Sequence, residues 1–472
     1  MDKNENIFIT TTLPYANGPC HVGAAFEFIL ADSINRHLKL KGYNTYLNIG
    51  LDQNGSKIPL KAKELNIPIK EYIDNITNTW VESCKKLNIN YDNFYQTSTE
   101  KHAIEVKKIW NFFIKNGDIY QKEYTGKYCI GCESFKLEKD LIGGICNDHP
   151  NLNISEVTET NYFFKLGKYR DNLLEWIKSN PLIPNRYDEL LTFINDYDEI
   201  SVSRSKNDIT IGIDVPNDDS QIIYIWLEAL CNYSIAADNW VGWDNCDIIQ
   251  TCGVDNTRFQ AQIFQAFLCS LGKKNTDRIL IHGTILDKEG RKMSKTLNNV
   301  VDPIEQLNKY GLDAVRYYSL AGLSTVSNSA WCEEDLINLY NSHLCNDWGN
   351  LVSRVLHLVN IREVTIDESK IDSNVRDLIQ EKIDVINRLW SDLKIRDAVN
   401  ETNTIAKWAN AYITSKQPWS KECLDTDVIL NTLHWIVCVT NKLYKPIIPD
   451  ACSRIDEFIK NKVKGIAFDK IA

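Results

Sequence analysis

Three short stretches of this 472-residue chain carry residue types at spacings that could do chemistry. The first is TTLPYANGPCHVGA, residues 11–24, where a β-branched run passes through a Pro-Gly turn into an apolar, helical segment. His21 stands where that helix begins, and Gly23 follows it. Unpaired N–H groups and the dipole at a helix N-terminus favour anions, and strand–glycine turn–helix is a geometry that binds phosphate. A histidine there can add a hydrogen bond to a phosphate oxygen, although a lone histidine at a helix start is more often structural. The second stretch is RKMSKT, residues 291–296, in the loop that follows HGTILDKEG. Three cations in five residues could clamp a polyphosphate and stabilise charge developing on it; a solvated basic turn is the plainer alternative. The third is YCIGC…GICNDH, in which Cys129 and Cys132 form one knuckle and Cys146 and His149 a second. Two such knuckles can supply a tetrahedral set of three sulfurs and one nitrogen, as in structural zinc sites. A redox CxxC would not need the second pair.

The surrounding pattern says what must hold these residues. Up to about residue 117, strands IFITTT and TYLNIGLD alternate with helices near 24–41 and 100–116, which predicts a parallel sheet with crossover helices. Residues 118–221 break the rhythm with cysteines, short β-like runs and a helix around 168–179. Strand–helix alternation resumes at QIIYIWLEALCNY and continues through CDIIQTCGVD and RILIHGTIL. Beyond about 340, helical periodicity in DWGNLVSRVLHLVNI and VRDLIQEKIDVINRLWSDL predicts an all-helical terminal domain. The expected architecture is a split α/β domain with an insertion, then a helical domain.

Composition bounds the function classes. Apolar residues at 43% and charged ones at 25% are an ordinary globular balance. No run of eighteen apolar residues occurs, so no membrane span is expected. MDKNENIFIT has neither a basic nor an apolar leader segment, which points to the cytoplasm. Fourteen cysteines in an intracellular chain argue against a disulfide framework. A net charge of −10 disfavours a protein coated in nucleic acid but leaves room for a local basic groove.

Taken together, the early GPCHVG and the late KMSK resemble the signatures of class I aminoacyl-tRNA synthetases. The finer resemblance is to methionyl-tRNA synthetases: LPYANGP, GLDQNG, YIWLEAL, GVD, KMSKTLNNVVDP, YGLDAVRYY and NDWGNLVSR follow that family's order along essentially the whole chain. It implies an α/β Rossmann-type catalytic domain split by a zinc-knuckle insertion and followed by an α-helical bundle that binds the anticodon. The implied segments are 1–117 and 222–284 for the two catalytic halves, 118–221 for the insertion, 285–340 for a stem-contact region with the KMSK loop, and 341–472 for the bundle.

The resemblance implies ATP, with Mg²⁺, as a substrate and Zn²⁺ as a structural ion. His21, Lys292 and Lys295 match catalytic, phosphate-contacting positions, and Gly23 and Asp255 join them in the ATP site. Leu13, Tyr15, Trp226 and Tyr233 match the wall of the methionine pocket, Gln260 stands where the family has a pocket histidine, and Asp52 matches the receiver of the α-ammonium. Apolar and aromatic walls suit a flexible thioether. Cys129, Cys132, Cys146 and His149 match a zinc knuckle that folds the insertion. Asn350 and Arg354, one helical turn apart, and Trp419 match positions that read the CAU anticodon of a tRNA, consistent with recognition of splayed bases. Without an appended dimerisation module, a monomer is expected.

Several signature positions depart from the family. Ala24 replaces the second histidine of the HIGH motif, and Gln53 and Asn54 replace a glutamate and a histidine. Val254 replaces a lysine, and Leu230 a proline. Loss of one preorganised phosphate donor costs about 10²–10³ in rate. Three readings therefore stand: a methionine–tRNA ligase, a paralogue charging the same tRNA with another amino acid, and a tRNA-binding protein without catalysis. Retention of Asp52, Asp255 and both KMSK lysines argues against the last.

Overall fold

The computed structural model describes residues 5–130, 134–136, 141–147, 150, 152–206, 211–293, 297, 299–461, 463 and 465–471. At its centre lies a six-stranded sheet of β1 (Asn6–Thr11), β2 (Asn44–Leu51), β3 (Asn93–Gln96), β6 (Leu182–Ile183), β7 (Asp247–Gly253) and β8 (Arg278–His282). The order is β3-β2-β1-β7-β8-β6, and every pairing is parallel. Both faces are covered, so the strands are apolar on both sides. Ile7 and Ile9 of β1 enter one hydrophobic cluster and Phe8 the other; Leu280 of β8 joins the first, and Ile279 and Ile281 the second. That alternation is the two-residue period of a strand.

Helix α1 (Val22–Leu40) follows β1, and apart from Gly23 every residue from Val22 to Asn35 is buried. It ends where Lys41 returns its N–H to His37 and Leu38 and Gly42 takes φ +88°, the left-handed conformation that glycine adopts without steric cost. Between β2 and β3 run two helices beyond those the sequence pattern predicts, α2 (Lys57–Glu64) and α3 (Ile69–Lys86). In α3 a Lys- and Asn-bearing face hides a stripe of Tyr72, Ile76, Trp80 and Cys84, and α2 buries Ile58 and Ala62. Helix α4 (Glu100–Lys115) buries His102, Val106, Trp110 and Phe113 at helical spacing.

The segment expected to hold short β-like runs contains two eleven-residue strands, β4 (Ile119–Cys129) and β5 (Ile154–Phe164). They pair antiparallel along their full length, from Ile119 opposite Phe164 to Cys129 opposite Ile154. Further along the same segment, β6 joins the edge of the central sheet beside β8. The chain then enters α5 (Ile225–Asp238). The strand before it belongs to a separate three-stranded antiparallel sheet, so after β6 the parallel sheet continues only at β7.

Helices α6 (Pro303–Tyr310) and α7 (Leu312–Ala321) lead to the helical half: α8 (Asn350–Ile361), α9 (Ser373–Ser391), α10 (Ile395–Lys416), α11 (Thr426–Tyr444) and α12 (Pro449–Asn461). The hydrophobic cluster under α1 continues without a break into this half, through Tyr317 and Trp348 to Leu430 and Ile436. Buried Arg316 on α7 ties the halves: it donates to Asp32 of α1 at 2.6 Å, to the carbonyl of Leu87 at 3.1 Å and to that of Ile447 at 2.8 Å. Among the described residues no helix is long and apolar enough to cross a membrane.

Candidate active site

Strand order reverses at β1, which has β2 on one side and β7 on the other. In open parallel sheets the crevice at such a switch point, at the carboxyl ends of the strands, is where ligands bind. Here it is a cleft of about 620 Å³. Leu13, Tyr15, His21, Gly23, Asp52, Trp226, Asp255 and Lys292 all line it, as do Ala24, Glu27, Phe259 and His282. Eight of the residues singled out in the sequence are thus brought to one place.

His21 caps α1. Its backbone is extended (φ −114°, ψ 164°), and its Nδ1 accepts the N–H of Ala24 at 3.3 Å. A neutral ring that accepts at Nδ1 carries its proton on Nε2, so the capping bond makes the other edge of the ring a donor. Gly23 keeps that ring in place, because a Cβ there would lie 3.1 Å from Nδ1. On the far side of the switch point, β7 ends at Gly253, and a tight turn carries Val254 and Asp255. A Cβ on Gly253 would sit 2.7 Å from Asp255 Oδ1.

The opposite wall is fixed by backbone. The chain beyond β1 bridges the end of β2: Ala16 donates to the carbonyl of Asp52 at 2.8 Å, and Asp52 to that of Pro14 at 3.0 Å. Asp52 Oδ1 accepts from Thr97 Oγ1 at 3.2 Å and from the Asn54 N–H at 3.3 Å. Tyr15 accepts the Lys57 N–H on its hydroxyl at 3.0 Å. Trp226, in the first turn of α5, stacks on Phe259 with ring centroids 3.8 Å apart and planes at 12°. Tyr233 and Gln260 do not line the cleft. Both are buried, and Gln260 donates to the Tyr233 hydroxyl at 2.8 Å while accepting from Gln250 at 2.9 Å.

The loop carrying Lys292 is closed at its base by Asp287, which accepts from the Arg291 N–H and guanidinium, each at 2.8 Å, and from the Asn299 amide at 2.7 Å. Desolvation pushes the Asp287 carboxyl up, but the Asn299 and Arg291 hydrogen bonds outweigh it and hold the group down to about 2. Lys295 lies outside the described residues.

Glu27 and His282 also line the cleft; the sequence marks His282 only as lying upstream of the KMSK loop and gives Glu27 no place. Glu27 Oε1 accepts the Thr12 N–H at 2.7 Å, and its Oε2 lies 3.2 Å from His282 Nε2. His282 Nδ1 bonds the Gly283 carbonyl at 2.9 Å. Burial lowers the pKa of His282, but the hydrogen bond and charge of Glu27, the Gly283 carbonyl and Asp255 together raise it above its ordinary value. A carboxylate inside the apolar run VGAAFEFILA was the available signal.

Two predicted groups lie elsewhere. Asn350 and Arg354 sit one turn apart on α8, and the Arg354 guanidinium is 5.8 Å from the ring centre of Trp419, which is 43% exposed. Arg354 also reaches Asn410 and Thr414 at 3.5 Å. Cys129, at the end of β4, and Cys146 are buried in one small cluster with Leu141, and neither is in a disulfide. Cys132 and His149 lie outside the described residues. Among the described residues, no three His, Cys, Asp or Glu side chains are grouped to hold a metal.

A parallel sheet that reverses beside a histidine-capped helix, facing a lysine-bearing loop, defines the catalytic core of class I tRNA synthetases. The family model described as tRNA synthetases class I (M) matches residues 7–155 and 137–356. The chain is 31% identical to the methionine–tRNA ligase of Ureaplasma parvum, in an alignment covering 97% of this chain and 92% of that one. It is 32% identical to the methionine–tRNA ligase of a Nostoc species, covering 96% and 90%. The solved structure of Mycobacterium tuberculosis methionyl-tRNA synthetase in complex with methionyl-adenylate superposes with a TM-score of 0.87 at 26% identity, over 96% of this chain and 93% of that one. The chain belongs to the methionine-type class I tRNA synthetases.

Proposed function

We infer that this enzyme is a methionine–tRNA ligase: it condenses methionine with ATP and passes the methionyl group to tRNA. The observation that carries the reading is the single cleft that joins Asp52 and Trp226 to His21, Asp255 and Lys292. In the first step a methionine carboxylate oxygen attacks the α-phosphorus of ATP and pyrophosphate leaves. Asp52 receives the α-ammonium, while Leu13, Tyr15 and the Trp226–Phe259 stack face the thioether. Tyr233 and Gln260 support that wall from behind. Asp255 holds the ribose. The Nε2–H of His21, with Lys292 and Lys295, stabilises charge on the phosphates in the transition state, a task for preorganised donors. Mg²⁺ accompanying ATP adds neutralising charge. In the second step a hydroxyl of the tRNA 3′-terminal ribose attacks the adenylate carbonyl and AMP leaves.

The helical half supplies tRNA selection. Asn350 and Arg354 offer amide and guanidinium edges, and half-exposed Trp419 offers a stacking face, which suits a CAU anticodon read as single-stranded bases. In the insertion we assign Cys129, Cys132, Cys146 and His149 to a structural Zn²⁺. The burial of two thiols in one small cluster supports this, and well under one zinc per purified chain contradicts it. We propose a monomer acting in the cytoplasm. Aminoacylation tests the function: methionine is expected to be attached to a CAU-anticodon tRNA and lost when the anticodon is changed. Equal charging of both tRNAs contradicts the anticodon assignment.

A further inference from the structure

Beneath Asp52 lies a chain of buried polar groups that the reaction itself does not use. Asn54, two residues on, donates from Nδ2 to the Thr97 carbonyl at 3.2 Å and to Glu228 Oε1 at 2.8 Å. Glu228 Oε2 lies 2.6 Å from His102 Nε2, and His102 Nδ1 lies 2.8 Å from the Tyr95 hydroxyl. Glu228 and His102 are 0% and 1% exposed, and Asn54 is 4%. The links come from four elements: the loop after β2, strand β3, helix α4 and the first turn of α5, two residues from Trp226.

A buried charge is costly unless paired. With the carboxyl proton donated to His102 Nε2, the imidazole is neutral and carries its own proton on Nδ1, so the pair is uncharged overall. The Nδ1–H of that neutral ring donates to the Tyr95 hydroxyl oxygen, which favours this one tautomer. Burial raises the Glu228 carboxyl and lowers the His102 imidazole, which agrees with a proton kept on the carboxyl. Gln53 and Asn54, where the family has a glutamate and a histidine, are neutral and hydrogen-bonded. Gln53 Nε2 donates to Thr77 at 2.7 Å, and its Oε1 accepts from Ser98 at 2.7 Å.

We propose that Glu228 and His102 share a single proton as an uncharged brace. Through Asn54, this brace fixes the Asp52 carboxylate relative to Trp226 and thereby sets affinity for the amino-acid substrate. Glu228 and His102 are positioning residues: neither touches substrate. The brace joins the ammonium-binding wall to the thioether wall, so its loss misplaces one against the other while leaving His21 and Lys292 unmoved.

The inference rests on the methionine-activation reading, which methionine-dependent ATP–pyrophosphate exchange by the unmodified chain tests first. With that activity in hand, KM for methionine, KM for ATP and kcat are compared in three variants whose folding is checked by thermal melting. Glu228→Gln keeps every hydrogen bond of the protonated acid, and its KM for methionine is expected within about twofold of wild type. Glu228→Ala leaves Asn54 and His102 without their partner. Its KM for methionine is expected to rise about ten- to hundredfold, the scale of a small misplacement of reacting groups, with kcat and KM for ATP little changed. Asn54→Ala cuts the link without emptying the core and is expected to show the same split, which keeps the test open if Glu228→Ala fails to fold. An unchanged methionine KM in the folded truncations overturns the proposal. So does a parallel loss in all three constants, or a Glu228→Gln as damaging as the alanine.

Discussion

The two walls of the cleft differ in how they carry their departures from the family pattern. On the phosphate wall, Ala24 and Val254 stand where a histidine and a lysine are usual. Ala24 lines the cleft with a methyl group, and its N–H is already taken by His21. On the ammonium wall, Gln53 and Asn54 also replace charged or titratable residues, but each is tied into a buried network with Thr77, Ser98, Thr97 and Glu228. One wall has lost donors without a replacement among the described residues; the other has exchanged one set of hydrogen bonds for another. A substitution in an active-site motif is therefore not in itself a measure of lost function. What counts is whether the partners changed with it.

Three changes sharpen this contrast, in falling order of effect. Asp52→Ala removes the anion from the braced wall, and kcat/KM for methionine is expected to drop about 10²–10³-fold, the scale for truncating one partner of a buried charge pair. A loss below about threefold contradicts the assignment of Asp52. Ala24→His restores a donor to the phosphate wall, and kcat for exchange is expected to rise up to about tenfold, since one such donor is worth about 10²–10³ where fully preorganised. No gain would mean that another group already supplies that charge.

The smallest effect is one of pH. Burial pushes the Glu228 carboxyl up to about 8, against a usual 4.5, with the Asn54 hydrogen bond acting the other way. Between those values the folded chain keeps a proton that the unfolded chain has lost, so the contribution of Glu228 to stability falls as pH rises. The groups facing it are His102 on α4, Tyr95 on β3, and Cys231 on its own helix. Burial takes His102 down to about 3 and raises Tyr95 and Cys231 well above their usual values, so none of them titrates in the folded chain across this window. Glu228→Gln lacks the proton. The Tm difference between wild type and Glu228→Gln is therefore expected to move in favour of the variant between about pH 5 and about pH 8. A constant difference would show that Glu228 is ionised throughout.

The phosphate wall was the more legible in the sequence. A strand, a glycine turn, His21 and an apolar helix are contiguous, and the KMSK loop is a local motif, so short-range patterns were enough. The brace was not legible, because its members come from positions 54, 95, 102 and 228 and only the parallel sheet brings them together. His102 falls at a helical spacing shared with Val106, Trp110 and Phe113 and reads as a core residue until Glu228 is placed opposite it. Tyr233 and Gln260 match the pocket wall by resemblance; in the structure both are buried and bonded to each other rather than facing the cleft. Helices α2 and α3 were hidden by charged faces whose apolar stripe is narrow.

Methionine-dependent ATP–pyrophosphate exchange tests the central claim most directly, because it reads adenylate formation without tRNA. Exchange is expected with methionine and not with the other standard amino acids, which would show that the braced ammonium wall sustains activation despite Ala24 and Val254. Silence with methionine, in protein that is folded and binds tRNA, would contradict the account.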